Sequence, residues 1–400
     1  MRILRWGINM KTDLSSNFPF LPVLEALRQD YIFSSRYEEI LLIGVQHLNE
    51  TTGSLICTLL SLGFEPDSVL LLGKNYSSNP LTINKLNEMG CDVSTVPFDT
   101  AIGEFGKSNE IEISTLWEKV QRRLGHKKYT SILVIDDGGR FISSAPESIR
   151  KNYKIASVEQ TTKGIKNQFV IDASFPVISV ASSRLKKETE SLVIAQGIAD
   201  SLERINFINK QIGIIGLGSI GNALRNHFNQ MGFILNLFDH EQKAINNCSS
   251  IEELIRNSDI VFGCTGTSLE FDLDCLDMKE TVLASCSSED IEFKKILANF
   301  KNPSFVKNDN TSCDLIYKFK TGQVSLLNSG YPINFRNDRE LEPEHKIQLT
   351  RALILGGIIQ AVDHLQSNTL SPGLNCLSEE IEMKIEKYLL KFKPLNELAI

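Results

Sequence analysis

Three short clusters of polar side chains in the first half of the chain have the residue types of an acid–base site. They are Gln46-His47, Asp136-Asp137-Gly138-Gly139 and Glu159-Gln160-Thr161-Thr162. Each cluster follows an apolar run that predicts a strand, and ligand crevices form at the carboxyl ends of parallel strands. A histidine and carboxylates that meet at such an edge can accept and donate protons. We therefore expect these clusters to lie close together.

Lys186 and Glu190 form a fourth candidate pair, because residues four apart share one face of a helix. The pair could serve a reaction, or it could be an exposed surface pair of small energetic value. His47 could likewise only hydrogen-bond the backbone, and the segment 136–139 could be a turn that caps a helix. The residues alone leave these alternatives open.

The clearest motif is a glycine-rich loop, Gly-Leu-Gly-Ser-Ile-Gly, which stands between a predicted strand and a predicted helix. The first glycine permits a tight turn, the second lets backbone N–H groups approach a pyrophosphate, and the third allows close packing of helix and strand. The pyrophosphate would bind at the helix N-terminus. The loop residues that we assign to this dinucleotide site are Gly216, Gly218, Ser219, Ile220 and Gly221.

Asp239 stands at the end of the strand that follows the glycine loop. An acid at this position accepts hydrogen bonds from ribose hydroxyls and repels the 2′-phosphate of NADP. The sequence therefore predicts that the chain binds NAD. The alternative is a glycine turn without a ligand, with Asp239 as an ordinary residue at the end of a strand.

Apolar strands alternate with helical stretches along the chain, which is typical of parallel sheets with crossover helices. We predict strands at 40–44, 68–72, 92–96, 130–135, 211–215, 233–238, 260–262 and 281–284, and helices at 52–62, 113–124 and 182–204 and from the glycine loop through 231. The expected fold class is α/β, with two doubly wound parallel-sheet domains, the second a Rossmann NAD-binding domain.

The expected domains are a substrate-binding domain at 1–183, an NAD-binding domain at 184–348 and a C-terminal helical segment at 349–400 that packs back on the first domain. The 400 residues are 42% hydrophobic and 23% charged, which suffices for two cores and argues against disorder. The net charge of -7 disfavours nucleic acid as a partner. We therefore expect a small-molecule substrate.

The segment 1–15 is interrupted by charged residues and lacks the apolar run of a secretory signal. The most apolar stretch, 352–359, is far shorter than the roughly 20 residues that span a bilayer, so it predicts a buried helix. These observations favour a cytoplasmic protein without membrane contact. The eight cysteines are scattered without Cys-x-x-Cys pairs, which predicts reduced, mostly buried thiols and no zinc site.

In these motifs and in neighbouring segments, the chain resembles the S-adenosylhomocysteine hydrolase family. The matching segments before the glycine loop are 44–47, 135–139, 158–164 and 176–180, and the segment after it is 327–330. The resemblance implies tightly held NAD that transiently oxidises a ribose 3′-hydroxyl of a nucleoside substrate, followed by elimination or hydrolysis. It also implies a homo-oligomer, either a dimer or a tetramer.

The same resemblance assigns roles to individual residues. Lys186 with Glu190 would serve the oxidation, Asp137 would abstract a proton, and His47 would protonate the leaving thiol. The residues that would line the substrate pocket are Asn49, Thr51 and Gln160. The residues that would contact the cofactor, besides the glycine loop and Asp239, are Thr161, Thr162, Lys163, Ser191, Thr265, Asn328 and Lys393.

Several positions depart from the pattern of that family. Gln160 stands where the family has a glutamate that binds the ribose hydroxyls, and Ser288 takes the place of a histidine. Asn49 and Thr51 replace residues that recognise adenine, so the family's route to adenosine is lost. Gln160 is either a loss of charge at an idle site or an adaptation to a different ligand.

The sequence leaves three functions open. The first is an NAD-dependent enzyme that acts on a ribosyl compound with a changed base or leaving group, and the second is a non-catalytic NAD-bound regulator or scaffold. The third is authentic hydrolysis of S-adenosylhomocysteine. A plain hydroxy-acid dehydrogenase would also carry the glycine loop, but it would not explain the Asp-Asp-Gly-Gly and Glu-Gln-Thr-Thr segments.

Overall fold

The computed structural model describes residues 17–31, 37–95, 105–126, 129–202, 210–276, 279–299, 303–307, 313–335 and 340–392. Its strands are β1 Ile40–Leu48, β2 Val69–Ser78, β3 Asp92–Thr95, β4 Ser131–Asp136, β5 Lys154–Glu159, β6 Pro176–Ser179, β7 Ile212–Ile215, β8 Leu235–Phe238, β9 Ile260–Gly263, β10 Glu280–Ser285, β11 Ser304–Lys307, β12 Cys313–Lys318, β13 Gln323–Leu326 and β14 Gly373–Cys376. Its α-helices are α1 Pro22–Tyr31, α2 Glu50–Leu62, α3 Pro80–Glu88, α4 Phe105–His126, α5 Arg140–Ser143, α6 Glu147–Asn152, α7 Thr162–Ile165, α8 Gln168–Ile171, α9 Arg184–Ser201, α10 Ser219–Gln230, α11 Ile251–Asn257, α12 Lys294–Asn299, α13 Glu344–Ser367 and α14 Glu379–Lys391.

These elements form two compact units. The first unit contains the described residues of Met1–Val96, Asn109–Glu190 and Pro343–Ile400, and the second contains those of Pro97–Ser108 and Ser191–Glu342. Divisions between them fall inside α4 and inside α9. The first unit is therefore built from segments that precede and follow most of the second unit in the sequence.

The sheet of the first unit has, among the described residues, seven strands in the order β14-β6-β5-β4-β1-β2-β3. All of its pairings are parallel, and β1 at the centre pairs with β2 and with β4. The chain runs outward to β3 on one side of β1 and outward through β4, β5 and β6 on the other. The strand order thus reverses between β1 and β4, and a ligand crevice is expected at the carboxyl ends of those two strands.

Apolar layers cover both faces of this sheet. On one face, α13 contributes Leu353 and Ile358, which are fully buried against a cluster that includes residues of α1, α2 and α14. On the other face, Trp117 of α4 stacks on Phe141 of α5 with ring centroids 4.1 Å apart. A helix that is apolar on nearly all sides must be buried, so the expectation of a buried helix at 352–359 is confirmed.

The sheet of the second unit has, in the described part of the chain, the strand order β11-β12-β13-β10-β9-β7-β8. The strands β8, β7, β9, β10 and β13 are parallel, and β7 lies between β8 and β9. The expected α/β class with a Rossmann-type second domain is confirmed. One detail differs, because β11 and β12 extend this sheet in antiparallel fashion.

Two strands of the first unit are longer than their apolar runs predict. β1 continues to Leu48 and β2 to Ser78, so Gln46 and His47 lie within a strand and not in the turn after it. Every residue of both strands is buried. Polar residues can extend a strand when the sheet pairs their backbone groups and neighbouring side chains bind them, which a hydrophobicity pattern does not record.

No helix in the described ranges is both long enough and apolar enough to cross a membrane.

The burial of α13 leads to a stability prediction. Ile358→Ala should lower the free energy of unfolding by about 2–5 kcal/mol, because it removes a fully buried side chain and leaves a cavity. The measurement is urea unfolding followed by circular dichroism. Ile111→Ala is the matched control, since Ile111 also lies in a helix but is 65% exposed, and it should change the value by no more than about 0.5 kcal/mol. Equal effects of the two variants would contradict the described packing of α13.

Candidate functional site

The first unit brings buried polar side chains together at the carboxyl end of its sheet, where the strand order reverses. His47 comes from β1 and Lys74 from β2, while Asp137 and Gln160 directly follow β4 and β5. All four residues are buried. The prediction that the three polar clusters converge is therefore confirmed in the geometry.

The carboxylate of Asp137 is the centre of this cluster. Its Oδ1 accepts a hydrogen bond from Lys74 Nζ, and its Oδ2 accepts one from Gln160 Nε2. His47 Nε2 lies 3.3 Å from the same Oδ2. Burial would raise the pKa of Asp137, but Lys74 and His47 hold that pKa well below its usual range. Asp137 is therefore a permanent anion and a poor proton acceptor, which does not suit the proton-abstracting role expected for it.

His47 is held on both sides of its ring. Nε2 faces Asp137, and Nδ1 forms a hydrogen bond with Ser77 Oγ. Burial lowers the pKa of His47 to about 4; Asp137 opposes that shift, and the positive charges of Lys74 and Arg351 add to it. The imidazole is therefore neutral near pH 7 and can accept a proton. Since the charged carboxylate can only accept, we assign the ring hydrogen to Nε2, with Nδ1 accepting from Ser77.

Lys186 and Glu190 are connected to this cluster through the backbone of Gln160. Lys186 Nζ donates to the carbonyl oxygen of Gln160 at 2.5 Å and lies 3.0 Å from Glu190 Oε1. Lys186 is buried, so the alternative of an exposed surface pair is wrong. Glu190 is partly exposed and also accepts from Thr350 Oγ1 at 3.4 Å.

Asn49 and Thr51 lie at the start of α2 and are buried. Thr51 Oγ1 accepts a hydrogen bond from Arg351 Nε at 2.9 Å, although the two residues are 300 positions apart. Asn49 is the residue before the helix, but its side chain does not cap it, and its Oδ1 has no hydrogen-bond partner among the described residues. A bound molecule with a hydroxyl group could donate to this oxygen.

The sequence patterns did not predict three residues in or next to this cluster, namely Lys74, Ser77 and Arg351. Lys74 directly follows the apolar part of β2, so the rule that selected His47 could have selected it as well. Arg351 directly precedes the apolar run 352–359 of α13, and a buried charge beside such a run signals a partner. Ser77 had no local signal, because its partner His47 lies on a neighbouring strand.

The segment that follows β5 is organised by hydrogen bonds of its own. Thr161 is the N-cap of α7, and its Oγ1 accepts from Gly164 N at 2.9 Å and donates to Glu159 Oε1 at 2.6 Å. Thr162 and Lys163 are exposed in the first turn of α7. Cofactor contacts of these three residues stay a prediction.

The glycine loop of the second unit has the shape that a pyrophosphate needs. A Cβ on Gly221 would lie 1.9 Å from the carbonyl oxygen of Gly216, and Gly216 itself has a positive φ of 91°. By contrast, a Cβ on Gly218 would have no heavy atom within 4 Å. The loop is therefore closely packed on its inner side and open at Gly218, where α10 begins with exposed Ser219 and half-buried Ile220. These residues fit a dinucleotide at the helix N-terminus.

Asp239 lies directly after β8 and contacts the glycine loop. Its Oδ2 accepts from Leu217 N at 2.6 Å, and its Oδ1 accepts from Glu241 N at 2.7 Å and from Gln242 N at 2.8 Å. Burial opposes ionisation, but these backbone donors lower the pKa of Asp239 below its ordinary value. A carboxylate has about four lone-pair positions, so ribose hydroxyls can still donate to it.

The other cofactor candidates of the second unit are also placed by local contacts. Thr265 donates through both its N–H and its Oγ1 to Glu292 Oε1, at 2.6 and 2.7 Å. Asn328 is buried with a positive φ of 48°, and its Nδ2 donates to a backbone carbonyl at 3.1 Å. Ser191 is half-buried on α9, and Lys393 lies outside the described residues. Their contacts with the cofactor stay predictions.

A comparison with protein families identifies the cofactor domain. Residues 180–268 match the model described as the NAD binding domain of D-isomer specific 2-hydroxyacid dehydrogenase. The match includes the glycine loop, Asp239 and Thr265. This part of the chain is an NAD-binding domain, so the prediction of NAD as cofactor is confirmed.

Two curated relatives are uncharacterized proteins from two strains of Mycobacterium tuberculosis, CDC 1551 / Oshkosh and ATCC 25618 / H37Rv. Each is 26% identical to this chain over 333 residues. The match covers 80% of this chain but only 64% of each relative. The chain therefore spans less than two thirds of the length of the curated relatives that it matches.

Solved structures of dehydrogenases show a limited likeness. A Ralstonia solanacearum protein described as a D-3-phosphoglycerate dehydrogenase is 14% identical, with a TM-score of 0.40 over 83% of this chain and 96% of its own. A D-lactate dehydrogenase from Sporolactobacillus is 14% identical, with a TM-score of 0.33 over 84% and 100%. An NAD-dependent formate dehydrogenase from Staphylococcus aureus, solved with NAD, is 13% identical, with a TM-score of 0.34 over 82% and 96%.

The family match corrects the resemblance to S-adenosylhomocysteine hydrolase. The matched model is that of a dehydrogenase domain, so the assignment to the hydrolase family is wrong. The functions that followed from it are wrong as well: oxidation of a ribosyl or nucleoside substrate with elimination or hydrolysis, and authentic hydrolysis of S-adenosylhomocysteine.

The segments that suggested the hydrolase family have local structural reasons. Asp136 Oδ2 accepts from Ile142 N at 2.9 Å and so holds the turn at 137–139. Glu159 Oε1 accepts from Thr161 N at 2.7 Å and holds the next segment. Acids and glycines at these positions are therefore needed for the turns themselves, whatever substrate is bound.

The position of Asp239 leads to a prediction about cofactor choice. Asp239→Ser should lower the ratio of the NADP dissociation constant to the NAD dissociation constant by about tenfold or more, because it removes the charge that repels the 2′-phosphate. Fluorescence titration with NADH and with NADPH measures the two dissociation constants. A general loosening of the loop would weaken the binding of both cofactors alike, so it would leave the ratio unchanged. Glu241→Ser is the control, since Glu241 is exposed and only its backbone contacts Asp239. An unchanged ratio in Asp239→Ser would show that Asp239 does not face the ribose.

Proposed function

We propose that this chain is an NAD-dependent dehydrogenase whose substrate is a small 2-hydroxy acid. The observation that supports this most is the buried pair of His47 and Asp137, set among buried cations, in a chain that contains an NAD-binding domain of the 2-hydroxyacid dehydrogenase type. NAD, when bound, accepts a hydride from the carbon that carries the hydroxyl group. The first unit must then supply a proton acceptor and a site for an anion.

His47 is the proton acceptor in this proposal. Its low pKa keeps the ring free of a second proton at neutral pH, and the Ser77 hydroxyl can both donate and accept at Nδ1. Since Nδ1 is the free base and is bound by Ser77, the proton reaches the ring through that hydroxyl: Ser77 donates its hydrogen to Nδ1 and takes up the hydroxyl proton of the substrate, and the ring becomes positively charged. Asp137, an anion 3.3 Å away, then stabilises that charge and fixes the ring orientation.

Buried cations support the choice of an acid as substrate, and two of them, Lys74 and Lys186, also form ion pairs with Asp137 and Glu190. Lys74, Lys186 and Arg351 are each more than nine-tenths buried, and both Lys74 and Arg351 act electrostatically on His47. Charges interact more strongly in a buried site than in water, so a carboxylate is attracted more than a neutral alcohol. A hydroxy acid combines the anion that these cations favour with the hydroxyl that His47 requires.

Two further buried acceptors are available to other donor groups of a ligand. The side-chain oxygens of Asn49 and Gln160 are buried and have no hydrogen-bond partner among the described residues. An unsatisfied buried acceptor costs about 1–3 kcal/mol, so a ligand that donates to it gains affinity. We assign Asn49 and Gln160 to substrate binding on this ground, whereas substrate contact of Thr51, which binds Arg351, stays a prediction. Assembly into a homo-oligomer and a cytoplasmic location remain predictions.

The direct test is a substrate panel. The protein is supplied with NAD and a series of short 2-hydroxy acids, and separately with NADH and the corresponding 2-oxo acids, while nicotinamide absorbance is followed. We expect turnover in both directions with at least one pair, and weaker activity with the uncharged alcohol of the same length. Bound NAD without turnover of any acid in either direction would overturn the proposed function.

His47→Gln should reduce kcat by about a hundredfold or more, because it removes the proton acceptor, and should leave the NAD dissociation constant unchanged. The matched control is His126→Gln, since His126 is exposed at the end of α4. For the unaltered protein, kcat/KM should fall as the pH is lowered through about 4, where His47 becomes protonated. A variant as active as the control would remove His47 from the reaction.

A further inference from the structure

Two fully buried carboxyl groups lie beneath the site and take no direct part in it. Asp136 is the last residue of β4 and Glu159 the last residue of β5, and neither side chain is exposed. They are register partners in adjacent parallel strands. Their side chains therefore leave the sheet on the same face, from strands about 4.8 Å apart.

Each carboxyl group uses one oxygen to hold the chain that carries a site residue. Asp136 Oδ2 accepts from Ile142 N at 2.9 Å and so closes the turn that follows Asp137. Glu159 Oε1 accepts from Gly138 N at 3.2 Å, in the same turn, and from Thr161 N at 2.7 Å. Glu159 thus ties the segment after Asp137 to the segment after Gln160.

The other oxygen of each group has no hydrogen-bond partner among the described residues. These atoms are Asp136 Oδ1 and Glu159 Oε2, and both are buried. Two adjacent carboxylates in a buried position repel each other and cannot both be charged at low cost. One proton held between the two groups removes the repulsion and gives both oxygens a partner.

The surroundings accommodate such a pair. A Cβ on Gly164 would lie 2.2 Å from the Glu159 carboxyl carbon, so the glycine leaves the space that this group occupies. The charged groups that act on the pair are Asp137, whose negative charge opposes ionisation of both acids, and Lys74, whose positive charge favours ionisation of Asp136. Lys74 is already bound to Asp137, which limits its effect on the pair.

We propose that Asp136 and Glu159 share one proton and together act as positioning residues that hold Asp137 and Gln160 in contact. This role deepens the proposed function. It rests on that function only because the function makes Asp137 and Gln160 residues of the site. The pair itself touches neither substrate nor cofactor. It acts through the two turns whose N–H groups it binds.

The pH at which the pair loses its proton follows from its burial. Burial and the charge of Asp136 raise the pKa of Glu159 from 4.5 to about 8, and burial raises the pKa of Asp136 from 3.8 to about 6. The folded protein therefore holds a proton that the unfolded chain has released between about pH 4.5 and 8. In that window the contribution of Glu159 to the free energy of unfolding falls as pH rises. Above about pH 8 the charged pair should loosen both turns.

The variant Glu159→Gln tests this arrangement. Its amide oxygen can still accept from Gly138 N and Thr161 N, and its NH2 group can donate to Asp136 without any shared proton. We expect the decrease in unfolding free energy between about pH 4.5 and 8 to become smaller in the variant. Hydrogen exchange at Gly138 and Thr161 should stay protected above pH 8, whereas the unaltered protein should lose protection there. Glu118→Gln, on the exposed side of α4, is the control and should follow the unaltered protein.

The outcomes separate the pair from the proposed function. Stability and exchange report on the pair even if no hydroxy acid is turned over, so a failed substrate panel leaves this test intact. If the enzyme is active, Glu159→Gln should retain kcat at neutral pH and lose less of it than the unaltered protein above about pH 8. A variant whose stability and exchange depend on pH as in the unaltered protein would overturn the proposal.

Two further measurements guard against a misfolded variant. Asp136→Asn places the amide on the other member of the pair. The free energy of unfolding of this variant should also depend less on pH than that of the unaltered protein. Infrared difference spectra of the unaltered protein should show a buried protonated carboxyl group at neutral pH that titrates near pH 8. The absence of that band would overturn the proposal without the use of any variant.

Discussion

A buried carboxylate can stay charged only if other groups replace the water that it has lost, and Asp137 imposes this requirement on the whole first unit. Lys74 neutralises it, Gln160 donates to it, and His47 lies beside it. These partners come from β2, from the end of β5 and from β1, so several strands must end at matching heights. The sheet order that places β1 between β2 and β4 is what allows one carboxylate to reach all of them.

The same anion determines the properties of its neighbours. It keeps the His47 ring in one orientation, while burial, together with the charges of Lys74 and Arg351, lowers the tendency of that ring to become charged. A neutral imidazole beside a permanent anion can take up a proton at neutral pH and be stabilised once it has done so. Asp137 and Asp136 are adjacent in sequence and both buried, but Lys74 and His47 hold the pKa of Asp137 well below its usual range, whereas burial raises the pKa of Asp136 to about 6.

Local sequence patterns predicted the features whose causes are local. Apolar runs located the strands, and the glycine loop with Asp239 indicated a dinucleotide domain, because turn geometry and strand ends depend on neighbouring residues. The partners of His47 and Thr51 could not be found in this way, since Ser77 lies on another strand and Arg351 is 300 positions away. The hydrolase assignment failed for a related reason: the acids and glycines at 136–139 and 159–164 serve turns that a different chemistry can equally require.

Arg351 also has a consequence for the order of events during synthesis. It lies on α13, which, like β14, comes from the chain after the described part of the second unit. The sheet of the first unit and the helical layer on it can therefore be completed only when this late segment has been synthesised. Nearly all of the second unit is contiguous in sequence and is available earlier. A chain that folds as it is made would thus assemble its cofactor domain first, and its acid–base cluster would gain Arg351 last. Until then, the apolar face that α13 covers would be exposed, which makes this stage the one most prone to aggregation.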